Sequence, residues 1–423
     1  MMNYEEKDLK RGRLMYIFEA ALEHLIALLV AGSFLATLTK SLGMSDSLTG
    51  VLSSVISLGC LFQLMSLSVK KTRVKKLVVC LSALNQILFM LLYVIPLSGA
   101  GKQVKIAAFV VMIFSAYFIY NFVHPKKINW LMSLVEDGHR GTFTANKEIV
   151  SLVIGIVFSF VMGAVSDHFA EKGQIHTAFA ICAAVMFVLM VLHTLTMVLT
   201  VEKEIPCKKA AKGFSVIDSL KNKNILGVTV VFVLYNISNY ASVPYYGTYK
   251  INELGFDLKL VSAIVICGSG VRVLVSKFWG RYADRESFAA MLEKCLIFLA
   301  LGQVCAAMAV PSNGLVMFIL YYAFHGVAMG GINSALVNLI FDYVEPEKRS
   351  NSLAITQAAS GLVGFLTTLC MSPLVAAIQA NGNKILGIPL YAQQVVTVIS
   401  LVFTIFAIIY TRAVLIKKKK ATQ

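Results

Sequence analysis

Three ionisable side chains crowd into one apolar stretch, YIFEAALEHLIALLV, from Tyr16 to Val30: Glu19, Glu23 and His24. The two acids are four residues apart, so on a helix they stack on one face, with His24 beside it. A carboxylate among apolar residues pairs with a base, coordinates a cation, or takes up a proton because loss of water disfavours its charged form. Each outcome suits ion coupling, and Glu23, helped by Glu19 and His24, is the expected coupling group. Candidate bases are Lys126 and Lys127, in FVHPKKINW, and Arg272. A permanent salt bridge between these segments is the competing reading. In a third reading, Lys126 and Lys127 hold an anionic substrate and the acids balance them when it is absent.

Other polar groups sit in similarly apolar surroundings. Tyr117, Tyr120, Asn121, His124, Lys126 and Lys127 lie in one segment, and Tyr235, Asn236, Asn239 and Tyr240 in a second. Tyr321, Tyr322, His325 and Asn333 lie in a third. Steps of three and four (Tyr117, Asn121, His124; Tyr235, Asn239; Asn236, Tyr240) put many of them on shared helix faces. Tyrosine and asparagine combine flat apolar surface with donors and acceptors, which suits a neutral, hydroxyl-rich solute such as a sugar or nucleoside. A lone His193 is read as packing. Enzyme chemistry has no footing here: GxxxxGK[ST], GxSxG and HExxH are all missing. No CxxC pair suggests zinc or a disulfide frame, and no cofactor is expected.

The elements that carry these groups are membrane spans. Only 14% of the 423 residues are charged and 58% are hydrophobic, against about a quarter charged in soluble domains. Mean hydropathy is +0.76. The apolar residues fall into twelve runs near residues 14–37, 47–68, 77–98, 105–131, 148–166, 177–200, 223–247, 260–280, 289–310, 314–340, 352–378 and 391–415. Each approaches or exceeds the roughly 20 residues that cross a bilayer. The first is too long and too acidic for a cleaved signal. A net charge of +16 could point to nucleic acid, but its distribution does not. With the N-terminus inside, outward loops and helix ends hold only Lys40, Lys102, Lys105, Lys172, Lys250, Lys259 and Lys384. Nearly all other bases then lie inward, the pattern of a multi-pass inner-membrane protein with both termini in the cytoplasm.

The longest inward hydrophilic stretch, Val201 to Asn224, divides the chain into a bundle of residues 1–200, a loop of 201–222 and a bundle of 223–423. The two halves echo each other in order: VEDGHRG (Val135 to Gly141) with VEPEKRS (Val344 to Ser350), and TKSLGMS (Thr39 to Ser45) with INELGFD (Ile251 to Asp257). The expected fold is all-α, with twelve spans in two pseudo-symmetric six-helix bundles and a wet chamber between them, a common transporter plan.

SKFWGRYADRE (Ser276 to Glu286) resembles the loop signature of the major facilitator superfamily in Gly280, Asp284 and Arg285. The glycine would let helix ends approach closely. EPEKR (Glu345 to Arg349) is similar to the acid-to-arginine element after that superfamily's tenth helix, and Glu136 and Arg140 occupy the equivalent place in the first half. The resemblance implies a cytoplasmic latch made of Gly280, Asp284, Arg285, Glu345, Arg349, Glu136 and Arg140. It implies that spans one, four, seven and ten, where the polar groups concentrate, line the cavity. It also implies a monomeric secondary transporter, driven by a proton or sodium gradient. The 17 methionines and 26 phenylalanines leave open a drug-efflux role. A non-transporting solute sensor is a further alternative.

Overall fold

The structure, a computed structural model, describes residues 6–66, 73–135, 140–202, 222–344, 349–385 and 387–416. It is helical, apart from a two-residue β-hairpin, β1 (Lys384–Ile385) with β2 (Ile388–Pro389). The first seven helices are α1 (Glu6–Leu29), α2 (Gly32–Ser41), α3 (Asp46–Ser66), α4 (Lys75–Val94), α5 (Lys102–Met132), α6 (Arg140–Glu171) and α7 (Ile175–Leu199). The rest are α8 (Lys223–Ser242), α9 (Leu258–Arg285), α10 (Phe288–Ala307), α11 (Gly314–Tyr343), α12 (Arg349–Ala380) and α13 (Ala392–Tyr410).

Among the described residues, ten helices are long and apolar enough to cross a bilayer. Helices α1 and α2 add an eleventh if counted together, and Asp46–Phe62 is a shorter apolar helix. The first expected span is therefore bent rather than straight, with a turn of 41° between α1 and α2. Its cause is local: Gly32 has φ +54°, a left-handed conformation that side chains other than glycine rarely take. The span that begins with α8 also runs past its expected end at 247, to Glu253. Pro244 starts a 3₁₀ turn, and the chain stays helical through a π-turn at Tyr249–Glu253. The central loop expected at 201–222 lies mostly outside the described residues.

The chain forms two compact units. The first comprises Met1–Met44, Phe62–Ala210 and Asp257–Ser262; the second Ser45–Leu61, Ala211–Phe256 and Ala263–Gln423. In the first, α1 packs on α6 and α7, and α4 on α5 and α7. Tyr16, Val78, Trp130 and Met197 centre its inner core, where Trp130 donates from Nε1 to the Val201 carbonyl at 3.0 Å. The start of α9 belongs here, because Asp167 accepts from the backbone N–H groups of Leu258 and Lys259 at 3.0 and 2.6 Å.

In the second unit α8 packs on α12 and α13, and α10 on α11 and α13. A buried chain of small polar groups ties three of these helices. Gln303 donates to Ser238 and Ser400 at 2.9 Å each, and Thr404 donates back to Gln303 at 2.7 Å. Such groups need partners wherever water is scarce. The first four turns of α3 join this unit because Gly361 allows it: a Cβ there would stand 2.6 Å from the Ser57 carbonyl oxygen. The Ser57 hydroxyl donates to Gly361 O at 2.7 Å.

Candidate functional site

The acids of α1 meet their base inside the first unit. Lys127, near the C-terminal end of α5, is 2% exposed, and its Nζ donates to Glu19 Oε1 at 2.8 Å and Glu23 Oε1 at 2.5 Å. Glu19 is buried to the same extent, whereas Glu23 keeps 24% of its side chain accessible. Helix α7 adds a third partner. His193, wholly buried, has Nε2 3.1 Å from the same Glu19 oxygen. From α4, Gln86 Nε2 lies 2.8 Å from His193 Nδ1. With that amide donating, Nδ1 is the acceptor, so Nε2 carries the hydrogen and donates to Glu19. His193 is therefore no packing histidine, as its isolation in the sequence suggested. It is one link of a four-helix chain: Gln86, His193, Glu19, Lys127, Glu23.

Two carboxylates and a histidine with ligand atoms within 4.8 Å of one another resemble a cation site. The cluster already holds a cation, the Lys127 ammonium, in hydrogen-bonding contact with both acids, so it is not read as a metal centre. Within the cluster two acids share one ammonium, and Lys147 acts electrostatically on both acids from close by. Nearby, Lys147 lies over the Tyr16 ring at 4.9 Å. A narrow cavity, with room for about one water, opens beside Glu23 and Lys127 and is lined also by Tyr120, His124, Ser82 and Asn85. Gln86 Oε1 and His124 Nδ1 are buried with no hydrogen-bond partner.

The remaining expected residues of α1 and α5 divide. Tyr120, His124 and Lys127 share the cavity face, at steps of four and three. Tyr117 instead packs edge-on against Phe89 of α4 at 5.1 Å, and Asn121 donates to the Tyr117 carbonyl of its own helix at 2.9 Å. His24 faces α6, close to where a Cβ at Gly155 would stand. Lys126 is partly buried beside Lys127.

The second unit gathers another set. The Tyr235 hydroxyl donates to Met329 Sδ at 3.5 Å. Tyr321 and His325 rings lie 5.3 Å apart, and Tyr322 stands at 5.0 Å from Tyr321. Arg272 acts electrostatically on both Tyr235 and His325. Tyr240 closes on Gly364 of α12. Asn236 and Asn239 are partly buried on α8, and Asn333 of α11 is exposed. Lys250 was counted as an outward topology charge. It is 3% exposed, and its Nζ donates to the Tyr322 hydroxyl at 2.8 Å.

Of the expected latch, Glu136 and Glu345 lie outside the described residues. Arg140, Asp284 and Arg349 fall in α6, α9 and α12, where their side chains are not described. Arg285 is exposed. The reading of Gly280 as a point of close approach is corrected: among the described residues, a Cβ there would meet nothing within 4 Å.

Comparison with known proteins agrees with this architecture. No curated protein sequence matches the chain. Among solved structures, the nucleoside transporter NupG superposes with TM-score 0.67 at 12% identity, covering 96% of this chain and 98% of the other. A D-xylose–proton symporter gives TM-score 0.67 at 13% identity, over 95% and 97%. A bacterial homologue of the iron transporter ferroportin gives 0.67 at 12%, over 97% and 99%. Identities this low speak for the fold, not the cargo. The family model of the Major Facilitator Superfamily matches residues 20–368. The chain therefore belongs to the major facilitator superfamily, as a multi-pass membrane protein and secondary transporter rather than an enzyme.

Proposed function

We propose that the chain carries a small, hydroxyl-bearing organic solute, sugar-like or nucleoside-like, by alternating access coupled to protons. The single observation behind the coupling is Lys127 shared between Glu19 and Glu23, with His193 hydrogen-bonded to Glu19. Two acids share the one ammonium that touches them, which gives a proton somewhere to bind, and Glu23, the more accessible acid, is its entry point. Once Glu23 is protonated, Lys127 loses half of its counter-charge and pairs with Glu19 alone. A few kcal/mol of differential pairing moves a two-state population from one extreme to the other. His193 extends the assignment first given to Glu19, Glu23 and His24.

In this reading residues 1–200 and 223–423 are the two rocking halves, joined by 201–222. The solute contacts Tyr120, His124, Tyr235, Asn236, Asn239, Tyr322, His325 and Asn333. The Gly280–Arg285 and Glu345–Arg349 segments, with Glu136 and Arg140, act on the cytoplasmic side. The protein works as a monomer in an inner membrane, both termini in the cytoplasm. Lys127, engaged by two acids, is a poor anchor for an anionic substrate.

The test is reconstitution in proteoliposomes, with counterflow and pH-driven accumulation measured over labelled sugars and nucleosides. Glu23→Gln should keep counterflow and lose accumulation. Proton-driven accumulation that survives Glu23→Gln unchanged would sink the coupling assignment. A protein that binds but never exchanges solute would be a sensor.

A further inference from the structure

Lys250 is the one part of the second unit whose chemistry is left open. Its side chain is buried, so it does not reach water by extending to the surface. Its Nζ lies 5.1 Å from the Tyr322 ring centroid and 5.9 Å from that of Phe318. Among the described residues no carboxylate lies within ion-pair distance of it, and its only side-chain hydrogen bond is the one to Tyr322 Oη. An ammonium has three N–H donors, so two remain without acceptors. Ring faces and one hydroxyl attract a cation more weakly than a carboxylate does.

Tyr322 has a complementary vacancy. Its oxygen accepts from Lys250, and its own proton has no acceptor among the described residues. The pair therefore offers an N⁺–H and an O–H, side by side, with nothing to receive them. A carboxylate has two oxygens to take both, and charge-assisted contacts of this kind are the strong ones. One ammonium balances one negative charge, which favours a monoanion over a doubly charged phosphate ester. The flat faces of Tyr321 and His325, 5.3 Å apart, continue from Tyr322 along α11. Tyr321 is itself buried, which leaves the partly buried Tyr322 and His325 for the apolar face of a ring or short chain to lie against.

We propose that Lys250 and Tyr322 anchor the carboxylate of a hydroxyl-bearing monoacid, such as a sugar acid, and so set the substrate class. The inference rests on the solute-carrier reading above and narrows its cargo from neutral to acidic. It also explains why an ammonium is kept here without a counter-ion: the substrate supplies it. Tyr322 is a binding residue in this account, and His325 a neighbour that contacts the solute's hydroxyls.

Thermal unfolding of the purified full-length protein tests this, with D-glucuronate and D-gluconate against D-glucose and glucose 6-phosphate, and a wider set of hydroxy monocarboxylates. The acids are expected to raise the unfolding temperature and glucose to leave it unchanged. Lys250→Met should weaken acid binding at least tenfold, and Tyr322→Phe by a smaller factor. Lys250→Met without ligand should unfold at the same temperature as the parent or higher, which shows that the variant folds. The proposal is overturned if glucose or its phosphate stabilises as well as the acids. It also fails if Lys250→Met binds the acids as tightly as the parent, or if no carboxylate of the series binds. Counterflow separates this from the carrier reading. Glu23-dependent uptake of a neutral solute, unaffected by Lys250→Met, sinks only the acid anchor. Lys250-dependent acid binding without proton-driven accumulation sinks only the coupling.

Discussion

Two lysines of this chain are buried almost equally, Lys127 at 2% and Lys250 at 3% exposure, and their surroundings are opposite. Lys127 has two carboxylates within 2.8 Å. Lys250 has a phenol oxygen and two ring faces. Taking an ammonium out of water costs several kcal/mol. Around Lys127 two acids in direct contact offset it. Around Lys250 the rings return about 0.5–2 kcal/mol each, and the surplus is an unmet positive charge. On the readings proposed above, the first environment is where a proton binds and the second where an anion does.

The contrast fixes the order of mutational effects. Lys127→Met leaves two carboxylates buried without their cation and should cost about 3–5 kcal/mol, seen as a large fall in unfolding temperature. Adding Glu19→Gln to that variant should restore much of the loss, and no recovery would break the pairing argument. Next comes Gln86→Leu, which removes the donor to His193 Nδ1 and leaves a buried acceptor unsatisfied. About 1–3 kcal/mol is expected, read in the same melts. Glu23→Gln should be milder still, within about 1 kcal/mol, because an amide oxygen can still accept from Lys127. Its effect should fall on proton-driven accumulation and spare counterflow. Lys250→Met is the smallest: with no counter-ion to orphan, stability should stay level or rise. If it falls as far as for Lys127→Met, the two lysines are not the opposites described here.

Much of the site was legible before any coordinates. The step of four between Glu19 and Glu23 put both acids on one face, and Lys127 was named as a candidate partner. Three things were not legible. His193 stood alone in a plain apolar helix, and nothing local distinguishes a packing histidine from one aimed at a carboxylate on a neighbouring helix. Lys250 followed the expected span end at 247, so it read as a loop charge. The helical path instead continues through a π-turn to Glu253. Tyr117 and Asn121 were placed on the cavity face with His124 because they share its spacing. Spacing gives relative phase, and the phase at which a helix meets its neighbours is set by packing. In α5 that phase turns Tyr120, His124 and Lys127 to the cavity and Tyr117 to Phe89.

The sequence by itself determined that this chain lives in a bilayer, where most of its spans lie, and that its ionisable groups at depth must serve a purpose. Those follow from hydrocarbon's refusal of unpaired polar groups, which acts residue by residue along the chain. Only the tertiary structure decided who pairs with whom: Lys127 with two acids, His193 with Glu19, Lys250 with no acid among the described residues. Pairing depends on which helices become neighbours and on their rotation about their own axes, and both are settled by side-chain packing summed over the whole fold.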